Sequence, residues 1–116
     1  MSHMFYNCFM FNGYDLDNWD TIKVTDMSWM FAYCKEFNGY LNNWKVNEVI
    51  NMSCMFFGCE KFTGDGLENW KPINCENMSF MFTGCTIFNG NTLENWNVSS
   101  VLNMKYMFKD CLQLNC

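Results

Sequence analysis

Apolar and polar positions along this chain follow a pattern that restarts every 25 or 26 residues. In one copy the apolar positions are Met27, Met30, Phe31, Cys34, Phe37, Leu41, Trp44, Val46 and Val49. The opening recurs as Met52-Ser53-x-Met55-Phe56-x-x-Cys59, as Met78-Ser79-x-Met81-Phe82-x-x-Cys85 and as Met104-x-x-Met107-Phe108-x-x-Cys111. Met1-Ser2-x-Met4-Phe5-x-x-Cys8 is its first occurrence. The chain therefore divides into units 1–26, 27–51, 52–77 and 78–103 and a half unit, 104–116, all within one repeat domain. Such a period marks an architecture in which each copy buries its apolar face against its neighbours.

Within a unit, the spacing i, i+3, i+4, i+7 of Met27, Met30, Phe31 and Cys34 predicts one face of a short helix. Asp26, Asn51, Asn77 and Asn103 precede that face, where a side-chain acceptor can satisfy the free N–H groups of a first turn. The residue before each ladder cysteine is Asn7, Tyr33, Gly58, Gly84 or Asp110, and four of these tolerate a left-handed backbone, which predicts the helix end. Phe-Asn-Gly then reads as a turn, and Leu41-x-x-Trp44-x-Val46-x-x-Val49 as a short strand. The expected fold is an α/β solenoid, leucine-rich-repeat-like, of about four and a half coils, each with a short parallel β-strand and a short helix. Pro72, at the Val46 position, predicts a shortened strand in the third unit.

The repeat string M-x-x-M-F-x-x-C-x-x-F-N-G-x-L-x-N-W-x-V-x-x-V-x-N resembles that of a large family of unknown function best known from mycoplasma lipoproteins and also found in protists and giant viruses. It is similar to the BspA-like repeats of surface proteins. The resemblance spans essentially the whole chain. It implies a leucine-rich-repeat-like structure used for surface or protein–protein contacts, with no enzymatic activity and no cofactor. The chain shows no signal peptide and no lipid-attachment cysteine, so an intracellular or virion setting is expected ahead of secretion.

Composition narrows the chemistry. The formal net charge is −5 and the seven lysines never cluster, which argues against a nucleic-acid partner. No apolar run approaches the length of a membrane span. With one histidine, His3, and no Cys-x-x-Cys pair, neither a catalytic nor a metal site is expected. Cys8, Cys34, Cys59, Cys85 and Cys111 read as a buried ladder of reduced thiols. Cys75 is expected in the core, and Cys54 and Cys116 are expected to be exposed and reactive. Seventeen asparagines recur by register and suggest amides bonded from coil to coil.

The position two residues after each opening Met holds His3, Trp29, Cys54, Phe80 and Tyr106. On a helix it points away from the apolar stripe, so Trp29, Phe80 and Tyr106 are the candidate partner-binding residues. The function expected is a non-enzymatic structural or protein–protein interaction module, in a larger assembly such as a virion or cell surface. Its partner would be another protein or a further copy of the chain, docked at the amino-terminal end, where no polar cap is present. The alternative is a carbohydrate-binding module, which needs aromatic platforms flanked by carboxylates.

Overall fold

A computed structural model describes residues 1–114, and Cys116 lies outside the described residues. The repeats stack in register, but the elements expected within them are not there. Among the described residues there is no α-helix and no sheet, only the 3-10 helices Leu67–Asn69 and Asn91–Leu93 and three isolated parallel bridges, Asp26 to Asn51, Asn51 to Asn77 and Asn77 to Asn103. The chain is therefore not an α/β solenoid, and it shows no leucine-rich-repeat strand and helix.

The reason lies in the backbone of the Met-to-Cys segment. A helix needs every N–H to bond four residues back. Here alternate N–H groups leave the repeat: Met27, Trp29, Phe31 and Tyr33 donate to the carbonyls of Asn51, Ser53, Met55 and Phe57, at 2.9, 3.0, 2.9 and 2.6 Å. The intervening groups close turns three residues back, Met30 to Met27, Ala32 to Trp29 and Cys34 to Phe31. Trp29 and Tyr33 take φ of 58° and 63°, and a left-handed third residue is the mark of a type II turn. The segment is a run of turns whose alternate amides form a ladder to the next repeat. Such a run buries residues 1, 4, 5 and 8 of the unit just as a helix does, which is why the spacing misled.

The predicted strand is likewise a pair of turns, closed by Trp44 N–H to Leu41 and Val49 N–H to Val46, both at 3.1 Å. Pro72 consequently interrupts no strand; it is buried, and its carbonyl accepts the N–H of Cys75 at 3.3 Å. The acceptors expected at helix caps do bond two residues on, Asp26, Asn51, Asn77 and Asn103 Oδ1 to the N–H of Ser28, Ser53, Ser79 and Lys105 at 2.8–2.9 Å, but they open turns. Among the described residues, amide pairs with amide from coil to coil only at Asn69 with Asn42; in addition Asn74 Nδ2 donates to the Asn47 carbonyl, and Asn38 Oδ1 accepts from the Thr63 N–H and hydroxyl.

Side chains complete the stack in the opposite direction to the main-chain ladder. The indole N–H groups of Trp44, Trp70 and Trp96 donate to the carbonyls of Leu16, Leu41 and Leu67, one repeat back, at 2.6, 2.9 and 2.8 Å. The thiols of Cys34, Cys59, Cys85 and Cys111 reach back to the carbonyls of Phe5, Phe31, Phe56 and Phe82 at 2.9–3.1 Å. Both residue types offer an apolar body and one donor, so they fill the core without orphaning a polar atom. Between these stitches run columns of rings. Phe5, Phe31, Phe56, Phe82 and Phe108 stack at 5.5–5.8 Å. Phe11, Phe37, Phe62 and Phe88 form a second column at 5.5–6.2 Å.

Candidate interaction face

The residue two positions after each opening Met is left-handed in all five repeats: His3, Trp29, Cys54, Phe80 and Tyr106 have φ between 56° and 58°, and of their side chains only that of Cys54 is buried. A non-glycine residue in that region costs roughly 1–2 kcal/mol. Asn7, Tyr33 and Asp110 share the conformation four residues on, with Gly58 and Gly84 taking the same place in the other repeats. The left-handed backbone expected before the ladder cysteine is present, though it punctuates a series of turns and ends no helix.

The candidate residues lie on one row, with rings that the sequence reading missed. His3 stacks on Trp29 at 6.0 Å, Trp29 on Phe57 at 6.1 Å, Phe57 meets Phe80 at 6.3 Å, and Phe80 meets Tyr106 at 5.2 Å. Tyr6 and Tyr33 flank the same row at 5.8 Å from each other, and Tyr33 lies 5.2 Å from Phe57. Trp29, Tyr33, Phe57 and Phe80 are half-buried, whereas Tyr6 and Tyr106 are 44% and 50% exposed. Phe57 stands in where the third repeat has Cys54 instead of a ring. The missed signal was that substitution, a Phe three residues after the one non-aromatic member of the series.

Cys54 is 5% exposed, so the expected reactive thiol is buried, and burial pushes its pKa up to about 11. Conversely Cys8, expected in the buried ladder, is exposed and Cys111 is half-buried, because only the inner members have a repeat on each side. Cys34, Cys59, Cys85 and Cys75 are sealed, and all are free thiols. Burial raises Cys34, Cys75 and Cys111 to about 11 and Cys59 and Cys85 further. Among the described residues no three His, Cys, Asp or Glu side chains converge as a metal ion requires. No helix there is long and apolar enough to cross a membrane.

Charge separates the two halves of the stack. The Met-to-Phe halves, which carry the aromatic row, hold four lysines against three carboxylates, whereas the Trp halves hold three lysines against nine. Lys105 and Lys109 sit over the Tyr106 ring at 5.0 and 5.6 Å, a cation–π arrangement at one end of the row. On the Trp side a cleft of ≈ 440 Å³ is lined by Ile22, Trp44, Lys45, Asn47, Glu48, Asn69 and Lys71. Trp44 is 1% exposed and offers that cleft no free ring face for a sugar.

All of residues 1–116 match the family described as Mycoplasma protein of unknown function, DUF285. The chain belongs to that family. Neither the curated proteins nor the solved structures give a match. The DUF285 description names no activity, so the functional reading rests on the face itself.

Proposed function

We propose that this DUF285 chain is a non-enzymatic interaction module whose aromatic row, centred on Trp29, Phe80 and Tyr106, docks another protein. The supporting observation is the row itself: partly exposed rings held side by side, of which His3, Trp29, Tyr33, Phe80 and Tyr106 stand on a left-handed backbone. Aromatic residues dominate binding hot spots, and a contiguous apolar stripe of this kind is a recognised mark of an interface. The resemblance of the repeat to BspA-like surface-protein repeats supports the same reading, with a virion or cell surface as the setting. A carbohydrate-binding role finds less support, because neighbouring rings cover much of each other's faces.

Photo-crosslinking in the native source tests the proposal. A benzophenone side chain at Trp29 or Phe80 is expected to give one discrete protein adduct, and the same group at Lys71 on the acidic half is not. Equal labelling from both halves, or no adduct from the row, overturns the assignment.

A further inference from the structure

Lys45 and Lys71 occupy the same place in successive repeats, directly after the buried Trp44 and Trp70. Asp20 and Asn97 hold that place in the first and fourth repeats, so the lysine pair belongs to a single junction. A parallel bridge from Asn51 to Asn77 joins the two repeats, and side chains at equal places on such a ladder stand roughly 5 Å apart. Like charges that face each other in this way repel. Among the described residues the one ion pair joins Lys35 to Glu60, so no carboxylate neutralises the pair. Asp20, one repeat back from Lys45, turns to its own main chain and accepts the Ile22 N–H at 3.1 Å.

Both lysines are rooted in fixed backbone. The Lys45 N–H and carbonyl are held by the buried Thr21 hydroxyl, at 2.9 and 3.0 Å. Lys71 lies between Trp70, whose indole N–H donates to the Leu41 carbonyl at 2.9 Å, and the buried Pro72, whose ring fixes its own φ. Both line the ≈ 440 Å³ cleft, a volume that suits a small molecule. Its amide wall is fixed as well: the Asn47 carbonyl accepts from Asn74 Nδ2 at 2.7 Å, and the Asn69 amide is tied to Asn42. Glu48 is the one carboxylate among the lining residues. The cleft thus carries two positive charges and one negative, in a half of the repeats that otherwise holds one lysine against eight carboxylates.

We infer that this cleft binds a small anion that also carries an amine, a phosphate monoester or a dicarboxylate. Its oxygens lie between Lys45 and Lys71, and its ammonium pairs with Glu48. An anion in that place removes the repulsion between the lysines, which a neutral sugar cannot do. Glu48 disfavours a plain anion and so sets the selectivity. Binding is weak and falls with salt, because all three side chains are exposed. This inference is independent of the aromatic row, which lies on the other half of each repeat.

Titration of the full isotope-labelled chain with O-phosphoethanolamine and with aspartate, followed by amide chemical shifts, tests it. At least one probe is expected to saturate, with shifts centred on residues 45–48 and 69–71, and the tighter of the two assigns phosphate or dicarboxylate chemistry. Inorganic phosphate and succinate are expected to bind more weakly than their aminated counterparts, and ethanolamine not at all. Lys45→Gln and Lys71→Gln, at exposed positions, are expected to keep the wild-type melt and to lose about tenfold or more in affinity, the usual worth of a hydrogen bond from a charged donor. Lys23→Gln, the third lysine of this half and outside the cleft lining, is expected to leave affinity unchanged. Glu48→Gln is expected to erase the preference for the aminated probe. The inference is overturned by the absence of a saturable shift from both probes, by shifts centred outside the cleft, by an equal loss in Lys23→Gln, or by a preference that survives Glu48→Gln.

Discussion

Leu41, Val46 and Val49 are sealed from solvent in the second repeat, but in the fourth the same places hold Leu93 and Val101, half-buried, and Val98, 37% exposed. Met52 is fully buried and Met104 is 42% exposed. The residue types are the same; what differs is whether a further repeat lies above. Burial in this molecule belongs to the junction between repeats and only secondarily to the residue. Thr21 shows the converse. It stands at the Val46 position of the first repeat, yet is 1% exposed, because the second repeat covers it and the Lys45 backbone both receives and supplies a bond to its hydroxyl, at 3.0 and 2.9 Å.

The largest expected effect that follows is on the tryptophan series. Trp44→Ala, in the interior, is expected to cost about 3–5 kcal/mol, as for other buried aromatics. Trp19, at the same position in the first repeat and 38% exposed, should cost less than half as much. Urea melts of the two variants check this, and equal losses would break the comparison between interior and ends.

A smaller difference is expected among the turn glycines. Gly64 and Gly90 both have positive φ, 87° and 79°, so an alanine at either is strained by roughly 1–2 kcal/mol. At Gly64 the new Cβ also collides with the Phe88 ring, which is locked in its column; at Gly90 it meets only the end of the Leu114 side chain, at 2.8 Å. Gly64→Ala should therefore lose about 1–3 kcal/mol more than Gly90→Ala, the usual cost of overpacking, as read from thermal or urea midpoints.

The mildest expected effect is alkaline. Cys34, Cys75 and Cys111 have pKa values raised by burial from 9.0 to about 11. The unfolded chain releases these protons first, so their contribution is complete below about pH 9 and is lost as pH rises through about 11. Stability measured at pH 8 and above should decline over that window. It should decline less steeply in a Cys34→Ala, Cys75→Ala double variant, and an unchanged slope would assign the decline to other groups.

Much of the stack was legible in the sequence, since the period fixes which residues meet across a junction. All nine apolar positions read from the second repeat are at most 1% exposed. The conformation between those positions was not legible, because a helix and this series of turns bury the same spacing. Gly58, Gly84, Asn7 and Asp110 did signal a left-handed backbone at one position, but the other carries no glycine at all, only His3, Trp29, Cys54, Phe80 and Tyr106. Residue preference cannot reveal a conformation imposed by hydrogen bonds to residues 24 or 25 places along the chain. For the same reason Tyr33 and Phe57 were missing from the candidate face: their place on it is set by neighbouring repeats.

The thiol column has a practical consequence. One ladder cysteine per repeat, sealed in the three inner repeats while these are closed, amounts to an evenly spaced set of clocks built into the chain. Cys8 is open to a reagent at all times, whereas Cys34, Cys59 and Cys85 are reached only when their own level of the stack opens. The labelling rates of these cysteines, read one by one by mass spectrometry, would therefore trace how the molecule frays, level by level, with no probe added.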